Sequence, residues 1–273
     1  MSQVDSRDYI IAYELHSRSD APGDFAALPG FQAGLFLPRA RPDWFGRFAY
    51  PPRVIALVNE GLLIVPHPAT KAARELLRFD KLAFVESGRI LLEGWIRFGG
   101  EGFDRLLSFN TRSAAAVDRF LRSFKTLFLP EAISEAQIEI SLDLKFRNAL
   151  AQELEAGESV RAYLFRPVET FTRRFYGVQR TRTRPADLLA CTTRRLLWIT
   201  DRDGQGHAPY GSIARYAPLA KVTSISPLQE SDSRVLRVAI GSSEWRIPVA
   251  SAQWDEAFLF SAAVECATQS FKS

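Results

Sequence analysis

Five arginines carry the most specific chemistry in this sequence. In FTRRFYGVQRTRTRPAD, residues 171–187, Arg180, Arg182 and Arg184 alternate with threonines. Side chains of an extended strand point alternately to its two sides, so these three share one side. They form a comb of planar N–H forks, each matched to two oxygens of a phosphate or carboxylate, with Arg173 and Arg174 just upstream adding charge. Between residues 161 and 200 there are nine arginines against Glu169 and Asp187, although the whole chain carries only +4. The positive charge is therefore concentrated here, and the rest of the chain is slightly acidic in sum. At roughly 1 kcal/mol per basic residue beside an anionic leaflet, five arginines give about 5 kcal/mol, or millimolar binding. Stable docking would need a second contact.

A second candidate surface is aromatic. Residues 25–50 hold Phe25, Phe31, Phe36, Trp44, Phe45, Phe48 and Tyr50, with Arg39, Arg41 and Arg47 between them. Read as a long insertion, this stretch is expected to pack chiefly against its own domain. Phe36, Trp44 and Phe45 are its candidates for a protein or membrane interface, because Trp suits a boundary that is apolar on one side and wet on the other.

Catalytic chemistry finds little support. His16, His67 and His207 are isolated, and no HExxH, paired-cysteine motif, nucleophile elbow or phosphate-cradling glycine loop occurs. Asp201, Asp203 and Gly204 resemble the start of a calcium loop, but Ser212 stands where its closing glutamate belongs, so a simple Asp-Gly turn is expected. The expectation is a non-catalytic chain with no metal and no cofactor. Cys191 and Cys266, one in a strand and one on an apolar helical position, read as buried thiols of a reducing compartment. The start, MSQVDSRDYIIAYEL, has neither a basic n-region nor a cleavage site and predicts a cytoplasmic protein, peripheral at most to the inner face of a membrane.

The elements that would position these residues form a repeat. VIALVNEGLLIV (54–65) and LLACTTRRLLWI (188–199) each place apolar strand halves around a polar turn, and Gly61 supplies a turn residue in the first. Each is followed by a segment carrying Lys81 or Lys221, further strands and one helix. A first strand is expected over Tyr9–Leu15. In copy one Val117, Phe120, Leu121, Phe124, Leu127 and Phe128 form a stripe on a helix begun near Ser113 and ended by Pro130. In copy two Trp254, Phe258, Ala262 and Cys266, each four apart, are expected to face the core. Residues 131–157 read as a connector, with a helix capped by Ser141 and stopped at Gly157. The division is thus residues 1–130, connector 131–157, and 158–273.

LLACTTRRLLWITDR, then YGSIARYAPLAKVTSISPL, then paired strands and a last helix, resembles the bacterial pleckstrin-homology-like and GRAM-like domains. Thr193, Arg195, Ile213, Tyr216, Leu219, Lys221, Val222 and Ile225 carry the likeness in copy two. Leu62, Leu63, Phe79, Lys81, Leu82 and Val85 carry a weaker one in copy one, where Gly61 replaces the arginine. The resemblance implies a mainly β (α+β) chain of two tandem antiparallel β-barrels, each closed by a C-terminal helix. It implies no catalytic residues, since this architecture hosts lipid binding, peptide binding and self-association alike. The favoured reading is a protein-binding or self-associating scaffold. The alternative is a peripheral binder of anionic membrane lipids through Arg173, Arg174, Arg180, Arg182 and Arg184. The absence of a matching basic strip in the first half argues against nucleic acid as partner.

Overall fold

The hairpin written twice in the sequence is built twice in the computed structural model, which describes residues 12–15, 29–38, 52–66, 74–90, 93–130, 140–175, 178–201, 211–231 and 233–271. In copy one, β1 (Tyr13–Leu15), β2 (Phe31–Leu37), β3 (Arg53–Val58), β4 (Gly61–Pro66) and β5 (Glu75–Arg78) form one antiparallel sheet in chain order. They are followed by β6 (Leu82–Ile90), β7 (Glu93–Gly100), β8 (Phe103–Asn110) and helix α1 (Ala114–Phe128). A connector helix, α2 (Leu144–Glu153), leads into copy two. There β9 (Val160–Arg166) is followed by a ribbon of β10 (Glu169–Phe175) and β11 (Val178–Arg184), then by β12 (Asp187–Thr192), β13 (Arg195–Asp201) and β14 (Gly211–Pro218). The last elements are β15 (Val222–Gln229), β16 (Arg234–Ile240), β17 (Ser243–Pro248) and helix α3 (Trp254–Gln269). Lys81 sits in the turn after β5 and Lys221 in the 3-10 turn after β14, at matching points of the repeat.

The chain is mainly β, but among the described residues the strands form four sheets, several of them antiparallel, and no closed barrel is found. One unit of the fold comprises Met1–Leu82, Arg89–Ile96 and Leu106–Leu129, and the other comprises Ala83–Gly88, Arg97–Arg105 and Pro130–Ser273. In the second unit β14-β13-β12-β9 lie side by side in one sheet, joined at β14 by the second-unit part of β6 and beyond it of β7 and β8, with β15-β16-β17 as a separate sheet and β10-β11, among the described residues, paired only with each other. The free edge of β14 is thus occupied by β6, and a paired edge has no open hydrogen-bonding groups left for closure.

In the first unit, the residues of α1 that recur at three and four, Val117, Phe120, Leu121, Phe124 and Phe128, are all buried, while Leu127 of the expected stripe is exposed. Phe124 stacks edge-on to Phe79 at 5.8 Å, and the helix packs on β1 and β2. Ser113 Oγ accepts a hydrogen bond from Ala12 N at 2.7 Å, tying the helix start to β1. In the second unit the core gathers Leu189, Leu196, Trp198, Leu236, Val238 and Trp245 with Phe260 and Val264 of α3. All six residues of β12 are buried, the apolar Leu188, Leu189, Ala190 and Cys191 together with Asp187 and Thr192 at its ends, as befits a central strand.

Several expectations need correction. The strand expected over Tyr9–Leu15 is described only from Tyr13, and the supposed insertion 25–50 contains a regular strand, β2, whose alternation was obscured by apolar residues on both sides. Gly61 is not needed for a positive φ. It begins β4, and a Cβ there would lie 2.9 Å from Arg78 Cα and closer still to Leu77 O, so its role is close approach of β4 to β5. The connector helix is capped by Asp143, whose side chain accepts from Phe146 N at 2.9 Å, and not by Ser141. Helix α3 buries Ala257, Phe260, Ser261, Val264 and Ala267, so the stripe Phe258, Ala262, Cys266 faces outward and Cys266 is exposed. Cys191 is buried as expected.

Candidate functional site

The arginine segment folds as a two-stranded ribbon. Its register pairs Glu169 with Arg184, Phe171 with Arg182, Arg173 with Arg180 and Phe175 with Val178. Directly paired residues of antiparallel strands lie on the same face. One face therefore carries positions Arg173, Arg180, Arg182 and Arg184 with Phe171, Phe175 and Val178. Arg174 falls on the other face among Thr170, Thr172, Gln179, Thr181 and Thr183. Positions 180, 182 and 184 thus share one face as their alternation implied, Arg173 of the facing strand falls on it as well, and Arg174 does not.

The root of the ribbon is fixed by buried charge. Arg166, at the end of β9, forms an ion pair with Asp187, at the start of β12, and both are buried. Asp187 Oδ1 also accepts from Trp198 Nε1 at 3.3 Å. Glu169 lies 3.8 Å from Arg166 and 3.3 Å from Arg184. One tooth of the comb is therefore paired with its own strand partner.

The aromatic candidates fare differently. Trp44 and Phe45 lie outside the described residues. Phe36 is only 5% exposed, stacked on Tyr13 at 4.9 Å and packed with Leu15, Val54, Ala56 and Val65. Its expected role at an interface is corrected to one in the core, because β2 turns that ring inward.

Two features were not foreseen as sites. Arg195 is fully buried, and its guanidinium meets Glu158 at 2.9 Å and 2.8 Å. It also donates to Glu153 O at the end of α2, and Thr192 Oγ1 donates to Glu158 Oε1 at 2.6 Å. Burial opposes the charge of Glu158, but the charge and hydrogen bonds of Arg195 outweigh it and hold the carboxyl below its ordinary range. Burial pushes the Tyr216 phenol well up. This cluster locks the connector to the β12–β13 turn and faces no solvent. The T-x-R turn signalled the arginine, whereas nothing in the sequence marked Glu158 as its partner.

The other feature is a cleft of about 400 Å³ in the second unit, lined by Phe84, Arg97, Trp198, Arg215 and Trp245 among others. Its arginines are engaged: Arg97 forms a two-pronged pair with Asp104 at 2.7 Å and 2.6 Å, and Arg215 meets Glu86 at 2.5 Å while lying 4.4 Å over the Trp198 ring. With its charge internally balanced, the cleft lacks the field that the ribbon offers. Among the described residues, no group of three His, Cys, Asp or Glu side chains is placed to hold a metal ion, and no helix is long and apolar enough to cross a membrane. No family model, no curated protein and no solved structure matches the chain.

Proposed function

We propose that this chain is a non-catalytic interaction module that docks on an anionic lipid surface through the β10–β11 ribbon. The observation that supports the reading is the register, which gathers positions Arg173, Arg180, Arg182 and Arg184 on one face of a ribbon that, among the described residues, pairs with no other strand. Phe171, Phe175 and Val178 on that same face supply apolar positions between the charges. Such a face suits a boundary where phosphates lie above acyl chains. In each copy a run of strands ends in one helix, the element order on which the pleckstrin-homology-like resemblance rests, and the ribbon lies between the first strand and the central hairpin of copy two.

The energy is modest. With Arg184 shared with Glu169, three arginines contribute roughly 3 kcal/mol. One ribbon alone would bind only transiently, so recruitment depends on more than one ribbon per particle. Cosedimentation of the full chain with neutral and with anionic vesicles, at low and physiological salt, tests this. Binding restricted to anionic vesicles and weakened by salt is expected. Absence of binding to either, or equal binding to both, would overturn the reading.

A further inference from the structure

We propose that the outer edge of β17 is a strand-addition site, where an extended peptide of a partner protein pairs antiparallel with Glu244–Arg246 and sets a tyrosine into the cleft beside Trp245. The register fixes which backbone groups are on offer. Val249 N donates to Arg234 O at 2.9 Å, and in an antiparallel pair the hydrogen-bonded positions recur at every second residue. Ile247, Trp245 and Ser243, opposite Leu236, Val238 and Ile240, therefore bond to β16. The N–H and C=O groups of Glu244 and Arg246 turn the other way, where no strand pairs with β17 among the described residues. Pro248, the next outward position, has no N–H and ends the run.

The cleft of about 400 Å³ lies along that edge. Ser243, Glu244, Trp245 and Arg246 all line it, and every lining residue belongs to the second unit. Side chains alternate in face along a strand, with Trp245 buried and Glu244 and Arg246 exposed, so the surface that these consecutive residues share is the backbone edge itself. Open backbone groups of an edge are met by an added strand, whose alternate side chains supply specificity. The residue opposite Trp245 makes a non-hydrogen-bonded pair with it, the closer of the two pair types. It falls on the inner face, where Trp245 lies 6.0 Å from both Phe84 and Trp198. Trp245 Nε1 is buried there with no hydrogen-bond partner among the described residues. A tyrosine suits the position, because its ring packs on rings and its oxygen accepts from an N–H. The neighbours of that tyrosine lie on the outer face, an acid opposite Arg246 and a base opposite Glu244. Arg237 and Glu230 already pair with Glu244 and Arg246, so the backbone carries the affinity and the charges set the direction.

The test uses the full chain without vesicles, so that its outcome is separate from that of lipid docking. The probe is the acetylated, amidated peptide Thr-Val-Glu-Tyr-Lys-Val-Thr, titrated by calorimetry, and saturable binding is expected. Arg246→Pro removes one outward N–H and no bond to β16, and should weaken binding roughly tenfold, whereas Arg246→Ala keeps the N–H and should stay within about threefold of the parent. A melting curve checks that R246P is folded. Methylating the peptide backbone tests the register without any variant. On the glutamate or lysine nitrogen, which faces β17, a methyl group should weaken binding roughly tenfold or more, and on the tyrosine nitrogen, which faces away, it should have little effect. No binding at millimolar peptide, equal losses in R246P and R246A, or equal losses at the three methylated positions would each overturn the strand-addition site. So would a parent that sediments as a dimer and takes up no peptide, its edge closed by a second copy.

Discussion

The carboxylate of Glu158 and the guanidinium of Arg195 meet at 2.8 Å with both side chains fully out of solvent. Glu158 precedes β9 and Arg195 opens β13, so the pair fastens the end of the connector to the central hairpin of the second copy. The Arg195 guanidinium also lies 5.0 Å over the Tyr216 ring, and its hydrogen bond to Glu153 O satisfies a carbonyl at the end of α2. A buried pair of this kind stabilises little relative to two well-packed apolar residues, because both charges had to leave water. Breaking one half, however, strands the other.

Glu158→Gln and Arg195→Met are each expected to destabilise the second unit by roughly 3 kcal/mol or more, since each leaves an unpaired buried group. The double variant Glu158→Leu, Arg195→Met should recover part of that loss. Denaturant melts of the three proteins check this. Additive losses in the double variant would show that the two groups are not coupled.

Stability should also fall in acid through this pair. The Glu158 carboxyl is held below its ordinary range in the folded protein. Its contribution is therefore complete above the ordinary glutamate range and is lost as pH falls through the lower folded value. Melting temperatures of the parent should decline below about pH 4 more steeply than those of the Glu158→Leu, Arg195→Met variant. Equal slopes would mean that other carboxylates govern acid unfolding.

Gly61→Ala should destabilise the first unit by roughly 2 kcal/mol, because the added methyl meets the backbone of Leu77 and Arg78 and no flexible side chain that could move aside. Gly102→Ala is a useful comparison. It meets no neighbouring atom but sits at φ 79°, where only conformational strain of roughly 1 kcal/mol is expected. Thermal melts of the two variants separate close approach from backbone strain.

Within the ribbon, position on the register should decide effect. Arg180→Ala and Arg182→Ala are expected to lower binding to anionic vesicles severalfold each, and Arg174→Ala, on the opposite face, to lower it less. Arg184→Ala should fall between them, as its charge is already shared with Glu169. Vesicle titrations at fixed salt check the order. Equal effects at Arg174 and Arg180 would indicate a diffuse charge effect, with no one face engaged.

The repeat was legible in the sequence because its signals are local. Apolar runs around Asn59-Glu60 and Thr193-Arg194 specify hairpins, and the spacing of Val117, Phe120, Leu121, Phe124 and Phe128 specifies one face of α1. The arginine comb was legible for the same reason, since alternation along one strand fixes a side. Its facing strand was not, because which residue opposes which depends on the turn and the pairing. That is why Arg173 falls on the face of the comb and Arg174 does not.

What the amino-acid order alone determined, then, was the central hairpin of each copy, the two closing helices and the concentration of positive charge. Only the tertiary structure decided which edges pair, which face of a helix turns inward, and which distant groups meet. Helix α3 shows the reason most directly. Its apolar residues surround the axis, so periodicity offered two equivalent stripes, and packing on β9 and β15 chose Ala257, Phe260 and Val264 over Phe258, Ala262 and Cys266. Arg195 and Glu158 make the same point for charge. Thirty-seven residues apart in the chain, they become partners only because burial in one unit leaves each no other way to remain ionised.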